Sequence, residues 1–266
     1  MDFATLQVAA AGGVLHVTLD RPATRNAMSL QMVDELRAVL AQAEDAGDVR
    51  AIVLRGAGGH FCAGADLRDM AQARQRELAG DTQAIAAVNA RFGALCGAFA
   101  GTGLVTIAVL EGTVMGGGLG LACVVDVALA GQGAQLRLPE TSLGLVPAQI
   151  TAFLVERVGV SQARRLAVTG GTLSVAQALA IGLVHEVHQD GHALDAALAA
   201  TLAQTLRCAP GAIAATKALM ARALHTPAAD LVDDAARLFA QAARGAEGIE
   251  GTAAFLQKRL PSWAPQ

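Results

Sequence analysis

Two glycine-bearing loops hold the residues best suited to chemistry through the backbone. "GAGGHFCAGADL" follows the apolar run at residues 52–55, and "EGTVMGGGLG" follows a second apolar run at residues 104–110. Either loop alone is explained by a tight turn. Taken together, backbone N–H groups at such turns can converge on a developing oxyanion, and the missing side chains let a substrate approach closely. The two loops therefore predict an oxyanion hole.

The same loops do not fit a nucleotide-phosphate site. The chain has no GxxxxGK[ST] motif, and neither loop completes GxGxxG in register with an acid about 20 residues later. Phosphate binding by these glycines is therefore not expected.

Glu140 in "LPETSLG" is the carboxylate with the most chemical promise. Taken alone, it is explained as a helix cap or as a partner of Arg137. In a partly dry pocket its pKa would rise toward neutrality, where it both accepts and donates a proton. We expect Asp126 to be structural. His60 and His185 have no partners that suggest a catalytic triad, so a structural role is expected for them too.

Composition limits the possible partners. The chain has 266 residues, of which 53% are hydrophobic and 16% charged, and this apolar balance suggests surface hidden in an oligomer as well as a core. A net charge of -3 and an aromatic share of 3% give neither a basic footprint nor a stacking surface. Nucleic acid is therefore not an expected partner.

The cysteines predict no disulfide and no metal centre. Cys62, Cys96, Cys123 and Cys208 are widely separated in apolar contexts, without a CxxC pair or Cys/His spacing that suits zinc. We expect buried, reduced thiols in a cytoplasmic protein. The N-terminus lacks the basic start and long apolar core of a signal peptide, which agrees with that location.

One apolar segment is close to the length that crosses a bilayer. Residues 92–110 carry no charge, but they include four glycines, and their second half, "LVTIAVL", is rich in β-branched residues. That half is typical of a short buried strand, so a membrane is not an expected partner.

The elements that would position these residues alternate between strand and helix as far as residue 130. The first 56 residues read as strand, turn, strand, helix and strand, with Ser29 as the helix cap, and a helix is expected at about residues 81–98. Such alternation favours a parallel sheet with ligands beyond the carboxyl ends of its strands. Helices dominate after Pro147. We divide the chain into an α/β core, residues 1–195, and a helical C-terminal part, residues 196–266.

Several motifs occur in the order and spacing of one family. "RPATRNAM", "HFCAGADL", "GTVMGGGLGLACVVDVALA", "PETSLGLVP", "ALAIGLVHEV" and "AAFLQKR" span nearly the whole chain. The sequence resembles the crotonase superfamily, that is, the enoyl-CoA hydratase/isomerase family. The resemblance implies an α/β crotonase (ClpP-like) fold of repeated ββα units with a helical part used in trimerisation. It also implies an acyl-CoA substrate, no cofactor beyond that CoA, and a homotrimer or a hexamer built as a dimer of trimers.

The resemblance assigns roles to both glycine loops and to the acid. The backbone amides of Ala65 and Gly117 would form the oxyanion hole for the thioester oxygen, and Glu140 would exchange the α-proton. A further set of residues would contact CoA through backbone or basic side chains: Arg25, Ala63, Asp66, Leu67 and Lys258.

This chain departs from the family pattern at the first of two glutamates that flank the double bond in typical hydratases. Gly120 stands there, and "PAQIT" at residues 147–151 replaces the usual GxGG. Three enzymes fit one glutamate: an enoyl-CoA isomerase, a hydratase for a β-branched enoyl-CoA with space at Gly120, and another branch such as a decarboxylase or dehalogenase. The dehalogenase is disfavoured because its nucleophilic aspartate would fall at Ala148. An inactive acyl-CoA-binding protein is the non-enzymatic alternative, and it is disfavoured by the presence of Glu140.

The hydratase is the preferred alternative by resemblance. "ETSLGLVPAQI" looks like the group that acts on isohexenylglutaconyl-CoA in acyclic terpene catabolism, relatives of methylglutaconyl-CoA hydratase. Such a substrate carries its own carboxylate, and a second enzyme carboxylate beside it would add repulsion in a low-dielectric pocket.

Overall fold

The computed structural model describes residues 3–265. Its strands are β1 (Leu6–Ala11), β2 (Val14–Leu19), β3 (Ala51–Gly56), β4 (Val105–Leu110), β5 (Thr113–Met115), β6 (Val127–Gly131), β7 (Gln135–Arg137), β8 (Thr172–Leu173) and β9 (Glu186–His188). Its helices are α1 (Leu30–Ala46), α2 (Leu67–Leu78), α3 (Ala84–Gly101), α4 (Gly117–Val124), α5 (Thr151–Thr169), α6 (Val175–Ala180), α7 (Gly191–Thr205), α8 (Pro210–Ala223), α9 (Val232–Arg244) and α10 (Ala246–Leu256).

The main sheet is parallel except at one edge. Its strand order is β1-β2-β3-β4-β6-β9, with β1 antiparallel to β2 and every later neighbour parallel. β4 is buried along its whole length, as expected of a central strand covered on both faces. The α/β crotonase fold predicted from the sequence is confirmed. Because β3 and β4 are parallel neighbours, the two glycine loops leave the same end of the sheet.

A second, small sheet lies beyond that end. β5 pairs with β7 in parallel, and Met115 is opposite Arg137; β8 closes the other side of β7. β5 was not predicted from the sequence. Its pairing matters because each strand leads directly into a segment of the site: β5 into the glycine triplet and β7 into Glu140.

Helix predictions are confirmed where the apolar pattern or the cap is strong. Ser29 accepts a hydrogen bond of 3.2 Å from the backbone N–H of Met32 and caps α1.

α3 begins a few residues later than predicted. α2 was not predicted, because among its residues only Ala73 is buried and there is no apolar stripe to detect. Helices dominate after Pro147, as predicted, and the first of them, α5, is interrupted at Gly159 by non-helical backbone.

The C-terminal region is helical, as predicted. The boundary predicted at residue 195 falls inside α7, whose Leu194 and Leu198 pack with the apolar face of the main sheet. α8 to α10 follow, and α10 packs on α9. The division of the chain into two parts stays a prediction.

One cysteine prediction is wrong. Cys62, Cys96 and Cys123 are buried free thiols, whereas Cys208 is exposed. Cys208 lies in the short connection between α7 and α8. The apolar residues beside it in the sequence do not cover its side chain. Burial raises the pKa of the Cys62 thiol to about 11, which keeps that thiol protonated and unreactive.

α3 is long and apolar enough to cross a bilayer by length and composition, with a mean hydropathy of 1.3. It packs against α1, α2 and α4. Leu95, Cys96 and Phe99 of α3 are buried in the core. β4, the second half of the apolar segment considered above, is a strand as predicted.

Candidate active site

Backbone hydrogen bonds hold the two glycine loops together. The N–H of Cys62 donates to the carbonyl of Thr113 over 2.9 Å, and the N–H of Met115 donates to the carbonyl of Cys62 over the same distance. This short parallel bridge between Cys62 and Val114 extends the contact made by β3 and β4. Residues a few positions farther along each loop are therefore forced close to one another.

Ala65 and Gly117 lie just past this bridge, and their N–H groups donate no hydrogen bond to any described residue. Gly117 is the first residue of α4, where the helix itself leaves the amide unpaired. The Cα of Gly64, next to Ala65, lies 4.0 Å from the position a Cβ would take on Gly117. The structure thus brings together the two donors that the sequence predicted for an oxyanion hole.

Gly64 and Gly116 are required by backbone geometry as well as space. Their φ angles are 93° and 50°, in the region that disfavours side chains. A Cβ on Gly64 would lie 3.1 Å from the carbonyl oxygen of Met115, and a Cβ on Gly116 would lie 2.9 Å from Oε1 of Glu140. The glycines therefore allow the loops and the carboxylate to meet.

Glu140 reaches the glycine triplet through the register of the small sheet. Gly116 N–H donates to the carbonyl of Arg137 over 3.0 Å, and Glu140 follows three residues later at the start of a 3-10 helix, Glu140–Leu143. Its Oε2 is buried without a hydrogen-bond partner among the described residues. Burial raises the pKa of Glu140 above its ordinary value of 4.5.

The ion pair with Arg137, one alternative explanation of Glu140, does not form among the described residues. Nε of Arg137 instead donates to the carbonyl of Gly170 over 3.4 Å. The position of Glu140 beside the glycine triplet, with one unsatisfied oxygen, fits an acid/base better than a cap or an ion-pair partner.

Gly120 faces the same wall as Gly117, one helical turn farther along α4. A Cβ on Gly120 would lie 3.0 Å from Cγ1 of Ile150 and 3.1 Å from Cζ of Phe92, and a Cβ on Gly117 would lie 3.4 Å from the same Phe92 atom. Gly120 therefore lies at the site, as expected. It leaves no open space there, contrary to expectation, because Phe92 and Ile150 occupy the room beside it.

Most of the predicted CoA-contact residues lie in one cluster. The N–H of Ala63 donates to the carbonyl of Arg25, and the N–H of Asp66 donates to the carbonyl of Met28, each over 3.0 Å. These bonds place the "RPATRNAM" loop, residues 21–28, against the "CAGAD" loop, residues 62–66. The side chain of Arg25 is exposed and makes no hydrogen bond with the described residues. Leu67 begins α2 and is 77% exposed.

Lys258 follows α10 with a left-handed φ of 54°. Its ammonium group makes no ion pair or hydrogen bond within the described part of the chain. A role for Lys258 in CoA binding stays a prediction.

Similarity to known proteins identifies the family of this chain. The model of the enoyl-CoA hydratase/isomerase family matches residues 9–266. The chain belongs to that family. Enoyl-CoA hydratase domain-containing protein 2, mitochondrial, of Bos taurus is 34% identical over 254 residues, covering 94% of this chain and 83% of the relative.

Two further members are similar over nearly the whole chain. The 2,3-dehydroadipyl-CoA hydratase of Escherichia coli strain K12 is 32% identical over 255 residues, which cover 94% of each protein. Among solved structures, Pseudomonas aeruginosa AtuE superposes with a TM-score of 0.94 and 54% identity, covering 98% of this chain and 100% of that one. Membership of this enoyl-CoA hydratase/isomerase family implies an acyl-CoA substrate.

Two residues that were not predicted hold together the loops that carry the predicted CoA contacts. The buried Asn26 donates from Nδ2 to the carbonyls of Ala57 (2.9 Å) and His60 (2.6 Å) and accepts from the N–H of Arg21 (2.9 Å). Arg21 in turn pairs with Asp66 over 2.6 Å. Hydrogen bonds and this ion pair lower the pKa of Asp66 against the opposing effect of burial. A loop asparagine able to adopt a positive φ was the available signal.

The remaining polar candidates are structural, as expected. Asp126 accepts from the N–H of Thr106 and from Nζ of Lys217, each over 2.7 Å. Nδ1 of His60 accepts from the N–H of Thr113 over 3.1 Å, and Nδ1 of His185 accepts from Ala128 over 2.9 Å. No cluster of metal-ligating side chains occurs in residues 3–265.

Proposed function

We propose that this protein is a hydratase that adds water to a β-branched 2-enoyl-CoA, with isohexenylglutaconyl-CoA of acyclic terpene catabolism as its candidate substrate. One observation carries the proposal: the carboxylate of Glu140 lies beside Gly116, next to the free amides of Ala65 and Gly117. The hydratase names of two relatives support the reaction type. We propose no cofactor beyond the CoA of the substrate.

In the proposed reaction Glu140 serves as both base and acid. The water oxygen bonds to the β-carbon while the carboxylate of Glu140 removes one water proton. The electron pair of the double bond moves toward the thioester oxygen, whose charge the amides of Ala65 and Gly117 stabilise. Glu140 then transfers the proton to the α-carbon, so that hydrogen and hydroxyl are added and the carboxylate is regenerated.

The surroundings of Glu140 support a branched substrate that carries an acid. Because Gly120 has no carboxylate, a carboxylate on the substrate would be repelled by only one acid of this site, Glu140. Phe92 and Ile150 are apolar and line the Gly120 face. An alkyl branch on the β-carbon would contact that face without desolvating a charge.

An enoyl-CoA isomerase is the second candidate. One carboxylate is enough to carry a proton from the α-carbon to the γ-carbon, and Phe92 and Ile150 fill the place where a second acid would hold water. An acyl-CoA-binding protein without activity is disfavoured, because it would keep the buried, unpartnered oxygen of Glu140 at a cost and without a use.

The deciding experiment resolves products by mass. The wild type, Glu140→Gln and the control Glu156→Gln, an exposed position on α5, are incubated with isohexenylglutaconyl-CoA, 3-methylglutaconyl-CoA, crotonyl-CoA and a 3-enoyl-CoA. We expect water gain on a branched substrate, lowered about 10²- to 10⁴-fold in Glu140→Gln. An isobaric product with a shifted double bond would identify the isomerase. Equal turnover by Glu140→Gln would contradict the role of Glu140.

A further inference from the structure

A pair of side-chain amides lies beside the apolar wall that Phe92 and Ile150 form at Gly120, and no role has been assigned to it so far. Nε2 of Gln149, in the "PAQIT" segment, donates to Oδ1 of Asn89 on α3 over 2.8 Å. Ile150, the next residue, contacts the Gly120 position. Asn89, Phe92 and Gly93 are spaced to share one face of α3, and Phe92 completes the same wall.

Gly93 makes room for this pair. A Cβ on Gly93 would lie 2.1 Å from Oε1 of Gln149, so no other residue at position 93 leaves the carboxamide where it is. Gly93 lies inside α3, where glycine weakens a helix. Gly97, one turn later, has nothing within 4 Å of its Cβ position, so crowding explains the glycine at 93 but not the one at 97.

The hydrogen bond between the two amides leaves one donor group and one acceptor available. Nδ2 of Asn89 and Oε1 of Gln149 have no hydrogen-bond partner among the described residues. Both residues are half-buried, and neither atom is sealed from solvent, in contrast to Oε2 of Glu140. A donor beside an acceptor complements a water molecule or a hydroxyl, whereas a carboxylate requires donors only.

We propose that Asn89 and Gln149 position the water that adds to the β-carbon. This inference rests on the proposed hydratase function. Asn89 Nδ2 donates a hydrogen bond to the water oxygen, and Gln149 Oε1 accepts a hydrogen bond from the water O–H that is not deprotonated by Glu140. The amides thus orient the water without adding a negative charge beside an acidic substrate.

The test separates water addition from proton exchange. Hydration of isohexenylglutaconyl-CoA and crotonyl-CoA requires oriented water. Exchange of the α-hydrogen of butanoyl-CoA for deuterium in D₂O requires only Glu140 and the oxyanion hole. The variants are Asn89→Leu, Gln149→Met and Gly93→Ala, the last of which displaces the Gln149 carboxamide without altering either amide. Gly97→Ala, on the same helix, and Gln162→Met, on α5, are the controls.

We expect each site variant to lower kcat for hydration about 10²-fold, with KM and deuterium exchange changed less than about threefold, because only the water is misplaced. Both controls should match the wild type. Thermal unfolding should show all variants folded, and Gly93→Ala should be at least as stable as the wild type.

Three results would overturn the inference while leaving the proposed function intact. These are unchanged hydration in the site variants, a parallel loss of hydration and exchange, or a raised KM for isohexenylglutaconyl-CoA alone, which would assign the amides to the substrate carboxylate. A wild type that shifts the double bond and adds no water would overturn both proposals.

Discussion

At the scale of single residues, the site depends on where side chains are absent. Gly116 and Gly64 let Glu140 and the two loops approach, and Gly117 presents its amide from the first turn of α4. The cost is a carboxylate with one buried, unpartnered oxygen. The same desolvation that raises the pKa of Glu140 makes its carboxylate a stronger base and lets it hold a proton nearer neutral pH, so this cost to stability is tied to the proposed acid/base role.

The first prediction concerns stability and pH at Glu140. Because burial raises its folded-state pKa above the unfolded value, the folded protein binds more protons between the two, and its free energy of unfolding falls as pH rises through that range. Glu140→Gln removes this titration. We expect the variant to gain stability relative to the wild type from acid to neutral pH, by less than about 1 kcal/mol for a partly exposed group.

Urea unfolding at several pH values, with Glu156→Gln as control, measures this difference. The free energy of unfolding of the variant minus that of the wild type should increase with pH above 4.5, the ordinary glutamate value, while the control shows no such trend. A difference that decreases with pH would mean that the charged form of Glu140 is stabilised in the folded protein.

At the scale of elements, the bridge between the two glycine loops fixes the positions of the two amides of the proposed oxyanion hole. A Cβ on Gly118 would lie 2.6 Å from the carbonyl oxygen of Cys62, which accepts the bridging hydrogen bond from Met115. A Cβ on Gly117 would meet the edge of Phe92 at 3.4 Å and the Cα of Gly64 at 4.0 Å, which are ordinary contact distances. Adjacent glycines therefore have different purposes: Gly118 lets the loops join, and Gly117 leaves its amide unobstructed for the proposed contact with the thioester.

The second prediction follows from this difference. Gly118→Ala should destabilise the protein by about 1 to 3 kcal/mol, because rigid backbone must move. Gly117→Ala should unfold near the wild-type temperature yet lose about 10²-fold in kcat/KM, because its methyl group obstructs the oxyanion contact. Thermal unfolding and hydration assays check both, with Gly97→Ala as control. A fully active Gly117→Ala would remove Gly117 from the oxyanion hole.

The sequence predicted these elements unevenly, for physical reasons. β2, β3, β4 and α1 carry apolar patterns or a cap that the local sequence specifies, and the loops were recognised by their glycines. The contact of Phe92 and Ile150 with Gly120 was not predictable, since it depends on how α3 and the residue before α5 pack on α4. α2 was missed because a helix whose only buried residue is Ala73 has no apolar period.

At the scale of the whole molecule, the apolar composition is explained only in part by the core. Large apolar side chains of α9 and α10 are exposed in the single chain: Val232, Phe239, Ile249, Phe255 and Leu256. Two helices that pack mainly on each other, with apolar side chains turned outward, are typical of a surface that is covered in an assembly. This pattern supports the homotrimer or hexamer implied by the sequence resemblance.

The last prediction tests that assembly. Light scattering after size exclusion should give three or six times the mass of one chain for the wild type. The double variant Phe239→Asp, Phe255→Asp should shift toward one chain, because these rings are 76% and 83% exposed and removing them alters little of the monomer's own core. Val8→Asp, on the edge strand β1, is the matched control and should retain the assembly. A wild type that elutes as one chain at every concentration would contradict the proposed oligomer. If the variant dissociates, its hydration kinetics and its α-proton exchange are compared with those of the wild type. A raised KM for the acyl-CoA with α-proton exchange retained would indicate that a neighbouring chain contributes to CoA binding.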